Sequence, residues 1–285
     1  MIQKIEALAA DVDRTLSAKG SPLPQVTIDA FEKLHKLGVK IGLATGREIT
    51  DIEKNMGKNW TLSFEFDFIV GMNGGMVFDR HLDKMYSMDF MSREEMKDIL
   101  QNLWPMIEKD KIAVSTEGNG IHNAMNINDH LLGSAKRHGF TFADKTGDIE
   151  GFCEKPVYKL LLRTTKEDIP ILRNKIHTLY GEKYQTVETF PGTIEIMFNG
   201  ISKGKGLEMY AKWNHIDTNH ILAFGDNEND NSLLQASGWG VCLKDGNPST
   251  KKFADAITDY PCLEGGVGHY IFDHILNNEE VIKHA

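Results

Sequence analysis

The chain has 285 residues, 41% of them apolar, a net charge of −9 and three cysteines. That length and apolar content can build a sizeable core and predict two domains. Lysines and arginines scattered among the acids exclude a basic nucleic-acid footprint. Cys153, Cys242 and Cys262 are odd in number and form no C-x-x-C pair, which argues against a disulfide framework or a zinc site and fits a reducing cytoplasm. No apolar run approaches the roughly 18 residues of a membrane span, and MIQKIEALAADVD meets a carboxylate too early for a signal peptide. The expectation is a cytoplasmic monomer or small homo-oligomer with no nucleic-acid or membrane partner.

The elements alternate at both ends of the chain. Residues 4–12 read as a buried strand ending in ALAADVDRT. Residues 25–37 form a helix, with Ala30, Phe31, Leu34 and Leu37 on one face and Gly38 as its stop. VKIGLA, 39–44, is an apolar strand running into Thr45, Gly46 and Arg47, and a second helix follows to about Gly57. DFIVG, 67–71, is the third strand. Strand–helix alternation of this kind implies a parallel sheet covered on both faces.

The pattern then changes. Residues 71–89 read as a hairpin behind Gly74 and Gly75, and S-R-E-E at 92–95 as a helix start with a capping box. A strand at KIAVSTE, a polar stretch over 118–155, a strand at VYKLLLRT, a helix at 167–180 and a strand at 183–190 follow. Their apolar–polar alternation fits an antiparallel sheet open on one face. From about 192 the core pattern resumes: TIEIMF, a helix at 203–214, the strand HILAFGD, a helix at 229–236, WGVCL and a terminal helix at 266–276. The fold expectation is α/β: a Rossmann-like parallel-sheet core of residues 1–82 and 192–285, with 83–191 inserted as an α+β cap.

Strands of a parallel sheet deliver their C-terminal residues to one edge, where α/β proteins bind ligands. An apolar strand normally excludes carboxylates, so Asp11 and Asp13 at its exit either reach solvent or prepare to hold a cation. The other exits carry Thr45, then Asp226 with Asn229 and Asp230, while Lys203 opens a helix just before that last strand. Three carboxylates with no histidine or cysteine nearby favour a hard, oxygen-ligated cation such as Mg²⁺. Thr45 and Gly46, between strand and helix, offer a hydroxyl and backbone N–H groups to an anion, and Lys203 adds a mobile positive charge. A phosphate monoester suits both halves of the site, since a cation removes the repulsion between a carboxylate nucleophile and a phosphate dianion.

The set D-V-D-R-T at 11–15, L-A-T-G-R at 43–47, S-K-G at 202–204 and G-D-N-E-N-D at 225–230 resembles the four motifs of the haloacid dehalogenase-like superfamily. Motif order, spacing and the inserted segment resemble its Cof-type sugar-phosphatase branch. The resemblance implies a Mg²⁺-dependent phosphatase of a small phosphorylated metabolite such as a sugar phosphate. It implies that Asp11 attacks phosphorus, that Asp13 moves protons, and that Thr45, Gly46, Lys203 and Asn229 hold the phosphoryl side. The Asp11 carboxylate, the Asp13 main-chain carbonyl and Asp226 would ligate the metal, with Asp230 supporting. Two alternatives are a phosphotransferase or phosphomutase using the same motifs, and a non-catalytic phosphometabolite sensor. The retention of all four aspartates speaks against the sensor.

One position departs from that pattern. Arg14 stands where D-x-D-G-T has glycine, and a solvated or substrate-facing side chain is expected. Asn73, at the third strand exit, serves either as a substrate contact or as a hinge. His122, His130 and His138 form no i, i+4 metal pair. GISKGKG lacks the phosphate-loop pattern of nucleotide triphosphatases.

Overall fold

The computed structural model describes residues 4–18, 21–52, 60–117, 122–138 and 140–278. The chain begins with β1 (Ala7–Ala10), α1 (Gln25–Lys36), β2 (Lys40–Ala44), α2 (Ile49–Asp51), β3 (Phe68–Gly71), β4 (Met76–Asp79) and β5 (Lys84–Ser87). It continues through α3 (Arg93–Lys109), β6 (Ala113–Glu117), β7 (Asn123–Met125), α4 (Asp129–His138), β8 (Ala143–Asp144) and α5 (Ile149–Phe152). Next come β9 (Lys159–Arg163), α6 (Ile169–Tyr180), β10 (Tyr184–Phe190) and β11 (Thr193–Phe198). The last stretch holds α7 (Lys203–Asn214), β12 (Ile221–Gly225), α8 (Asn231–Ala236), β13 (Trp239–Cys242), β14 (Ala256–Ile257) and α9 (Gly266–Ile271). The helix expected to reach Gly57 begins as α2, and its continuation over 53–59 lies outside the described residues.

The chain divides into two units, Met1–Ser87 with Ile201–Ala285, and Met88–Gly200. These limits differ from those read in the sequence. The β5 strand pairs with β4 at the edge of the first unit's sheet, and TIEIMF, taken as the resumption of the core, is β11 of the second unit's sheet. Its Ile194 and Ile196 mimic a core strand, but Glu195 between them is buried against Lys159 and marks an antiparallel strand with two unlike faces.

The first unit's sheet has the order β14-β13-β12-β1-β2-β3-β4-β5 and is parallel from β14 to β3. Period-2 alternation sends Leu8 and Ala10 to one face, where Phe31 and Leu34 of α1 and Val267 and Ile271 of α9 complete a core. Ala7 and Ala9 face the other side, with Leu207 and Tyr210 of α7 and Leu233 of α8. Phe68 stacks on Tyr210 with centroids 3.8 Å apart. Gly42 makes that stack possible, because a Cβ there would run into the Phe68 ring. The α1 helix stops at Gly38, whose φ of 88° suits a residue without Cβ.

The second unit's sheet runs β10-β11-β9-β6-β7-β8. Met96, Leu100 and Leu103 of α3 and Leu172 and Ile176 of α6 cover Val114, Leu160, Leu162, Ile194 and Ile196. The expected capping box starts α3: Ser92 Oγ accepts from the Glu95 amide, and Glu95 accepts from the Ser92 amide. On the opposite face Leu131 of α4 packs on Ala113 and Ala124. That face also buries Lys159 between Glu117 and Glu195, at 3.2 and 3.0 Å. Burial alone would favour a neutral lysine, but the two glutamates prevail and raise its pKa.

Candidate active site

The site is assembled by four strand exits of the parallel sheet. Ala10 lies beside Phe224 of β12 and Leu43 of β2, and Ala44 lies beside Val70 of β3. The next residues along these strands, Asp11, Asp226, Thr45 and the Met72–Asn73 turn, therefore emerge at one edge. Backbone bonds hold them there: the Asp11 amide donates to Phe224 (3.0 Å), Thr45 to Val70 (2.7 Å) and Asn73 to Thr45 (3.0 Å).

Lys203, the first residue of α7, is fully buried and donates to Asp11 Oδ1 and Asp230 Oδ1, both at 2.6 Å. It is thus locked, and the mobile charge expected from the sequence is not what the structure presents. Ser202 caps α7 by accepting from the Lys205 amide, which fixes where Lys203 enters the site. Burial opposes the lysine's charge, but Asp11 and Asp230 overcome it and raise its pKa.

Asp11, Asp226 and Asp230 are all buried, and each offers an oxygen within 4.8 Å of the others. Burial pushes the Asp11 carboxyl up to about 7; Lys203 works against this, while Asp230 and Asp13 reinforce it. Asp226 is raised well above the ordinary carboxylate range by burial and by Asp11 and Asp230, with Arg14 and Lys203 opposing. Oxygen-only donors whose ionised forms lack full compensation suit a hard divalent cation. Asp230 is already committed: Oδ2 accepts from the Asp226 and Asn227 amides at 2.8 and 3.0 Å, and Oδ1 from Lys203. Its place is that of an anchor under Asp226. Gly225 permits that closeness, since a Cβ there would collide with the Asp230 side chain.

Asp13 stands two residues beyond Asp11 and about a third exposed, at 35%. Both its carboxylate oxygens are held by Arg47, through Nε at 2.9 Å and Nη2 at 2.7 Å. Thr45 Oγ1 accepts from the Arg47 amide at 3.2 Å, tying the two sides of the site together. Asn229 donates to the buried Asn73 at 3.1 Å, and Asn73 Oδ1 lies beside Gly46.

The candidate residues Asp11, Asp13, Thr45, Gly46, Lys203, Asp226, Asn229 and Asp230 all lie in the first unit. Two partners were not assigned a role from the sequence: Arg47 on Asp13, and Thr15, whose hydroxyl donates to Asp226 Oδ1 at 3.2 Å; Asn73, expected as a substrate contact or a hinge, pairs with Asn229. The signal for Arg47 and Thr15 was their place inside the quoted motifs. Arg14 is part-exposed and turned toward the carboxylates: its backbone takes a positive φ of 71°, and its side chain, 43% exposed, brings Nε to 3.8 Å from Asp226 Oδ2.

A sequence profile of haloacid dehalogenase-like hydrolases matches residues 8–271. The Bacillus subtilis protein YxeH, provisionally named a phosphatase, is 24% identical over 273 residues, 94% of this chain and 98% of its own. A provisionally named phosphatase of Streptococcus pyogenes is 24% identical over 274 residues, covering 96% of this chain and 99% of its own. Among solved structures, the subclass IIB sugar phosphatase BT4131 superposes with a TM-score of 0.77 at 21% identity, over 94% of this chain and 98% of that one. A haloacid dehalogenase-like hydrolase from B. subtilis gives a TM-score of 0.79 at 20% identity, over 95% and 100%. The chain belongs to the haloacid dehalogenase-like hydrolases.

Proposed function

We propose that the protein is a Mg²⁺-dependent phosphatase that hydrolyses a phosphate monoester of a small metabolite, a sugar phosphate by preference, through an aspartyl-phosphate. The observation that carries this reading is the buried Asp11–Lys203–Asp230 bridge beside Asp226 and Asp13, which sets a carboxylate nucleophile among cation-seeking oxygens. The sugar-phosphate preference rests on the similarity to the Cof-type branch and to BT4131. All the residues of the mechanism lie on the first unit.

Asp11 Oδ attacks phosphorus as the bond to the leaving alcohol breaks, and Asp13 gives that alcohol its proton. Asp13 then takes a proton from water, which attacks the phosphorus of the aspartyl-phosphate. The phosphorus–Asp11 bond breaks, freeing the carboxylate and inorganic phosphate. Thr45, the Gly46 amide and Lys203 hold the phosphoryl oxygens, and Asn229 with Asn73 closes that side. Arg47 keeps Asp13 in one orientation through both steps. The donors present fit Mg²⁺, which Asp11, Asp226 and the Asp13 main-chain carbonyl would hold over the Asp230 anchor. When bound it supplies charge neutralisation between the nucleophile and the phosphate dianion.

The test is inorganic-phosphate release across a panel of phosphorylated metabolites, with acid-quench trapping of labelled enzyme. The expected result is release dependent on Mg²⁺ and label on Asp11, lost in Asp11→Asn. Phosphate passed to a second sugar without net release would make the protein a transferase, and no turnover of any member would overturn the reading.

A further inference from the structure

Arg14 occupies a backbone position that disfavours any side chain, with φ at 71°. Its guanidinium nevertheless turns toward the carboxylate cluster. The Nε lies 3.8 Å from Asp226 Oδ2, and Nη2 donates to the Asp245 carbonyl at a long 3.4 Å. The two ends differ in surroundings: the Arg14 side chain is 43% exposed, the Asp226 side chain 4%.

The remaining charges explain why Asp226 is the carboxylate in want of a partner. Lys203 is shared by Asp11 and Asp230, and the Arg47 fork is spent on Asp13. Asp226 has the Thr15 hydroxyl on Oδ1 and the Arg14 charge near Oδ2. A divalent ion takes carboxylate oxygens at roughly 2.0–2.1 Å, so an ion held by Asp226 and a guanidinium on the same carboxylate repel each other at short range.

We propose that Arg14 is a resident counter-cation of the cluster, one that competes with the divalent ion for Asp226 and so lowers the affinity of the site for metal. This rests on the reading that the cluster binds Mg²⁺. In the metal-free protein Arg14 offsets the repulsion among Asp11, Asp226 and Asp230. On metal binding its half-exposed head, held by one long hydrogen bond, swings off the carboxylate into water. A glycine at this position leaves the carboxylates with one positive charge fewer, which favours the ion and disfavours the metal-free state.

The experiment is calorimetric titration of the full-length, chelator-stripped protein with Mg²⁺ alone, together with melting temperatures in chelator. Arg14→Gln removes the charge but keeps the backbone strain, Arg14→Lys keeps the charge, and Arg14→Gly removes both charge and strain. The expected result is Mg²⁺ binding about tenfold tighter in Arg14→Gln and Arg14→Gly, ~1.4 kcal/mol, with Arg14→Lys within about threefold of wild type. Arg14→Gln should also melt lower than wild type in chelator, and this difference should close at saturating Mg²⁺. Equal affinities in all four proteins, with phosphatase activity intact, overturn the inference alone. No Mg²⁺ binding by any of them overturns both the inference and the functional reading.

Discussion

Arg47 grips both carboxylate oxygens of Asp13, 34 residues away in the chain, with Nε and Nη2 at 2.9 and 2.7 Å. A planar fork fixes orientation in a way that a point charge cannot. Arg47→Lys should therefore lower kcat/KM for a sugar phosphate by about 10²-fold, or ~2.7 kcal/mol. An activated aryl phosphate needs little protonation of its leaving group and should lose less than about tenfold in the first half-reaction. Comparing the two substrates by single-turnover kinetics checks this. Equal losses on both would place Arg47 on the phosphoryl group instead of behind Asp13.

The two aspartates of the first strand exit should part company under acid quench. Asp13→Asn removes proton transfer, worth ~10² to 10⁴ in rate, but leaves the nucleophile. With an activated aryl phosphate the first half-reaction proceeds and labelled aspartyl-phosphate accumulates, since no base activates water. Label on residue 13 of the wild type would reverse the assignment.

Asp230 should matter for stability before it matters for chemistry. It accepts two amides and pairs with a lysine that has no exposure. Asp230→Ala leaves those donors and part of the lysine's charge unanswered, at a cost of about 3 kcal/mol. Urea denaturation in chelator measures it. Unchanged stability with collapsed Mg²⁺ affinity would make Asp230 a metal ligand instead of an anchor.

The metal-free protein should weaken as pH rises toward neutrality. Burial places the folded Asp11 pKa at about 7, above its ordinary 3.8. A carboxyl raised in this direction contributes stability that is complete below about pH 4 and is lost as pH passes through 7. Asp226 is raised too and slopes the same way. Melting temperatures in chelator from pH 5 to 8 should fall with pH, and more shallowly in Asp11→Asn. A rising curve would contradict the raised carboxyls.

Removing the cation should abolish turnover, because Asp11 and a phosphate dianion repel each other unshielded. Ca²⁺ should inhibit, since it accepts looser geometry and more ligands than in-line attack permits. Steady-state rates in excess chelator, then with Mg²⁺ or Ca²⁺ restored, decide the matter.

The parallel core was readable because ALAA, KIGLA, FIVG and ILAFG are apolar runs, as strands buried on both faces must be, and three of them run straight into Asp11, Thr45 and Asp226. The same rule misled at TIEIMF. Ile194 and Ile196 look like core residues, while the Lys159 that buries Glu195 lies 36 positions earlier, invisible to local pattern. Site residue types were legible from the strand exits, but their pairing was not. Arg47 finds Asp13, and Asn229 finds Asn73 across 156 positions, only once the sheet is ordered. Arg14 was legible as an anomaly; its turn toward Asp226 depends on a positive φ that no periodicity reveals.

The pairing of Ala7 with Ile221 has a consequence for synthesis on the ribosome. The strand that leads into Asp11 precedes residues 88–200, yet one of its two neighbours emerges only after the whole of them. Until then β1 has an open edge on its β12 side, and closing that distance makes the last docking step slow. The intervening unit is contiguous in sequence and holds its own core, so it can form while the nascent chain waits. Truncations that end before residue 221 should leave β1 to β5 as an aggregation-prone fragment attached to a folded insert, and the nucleophile should be held in place only once β12 has been made.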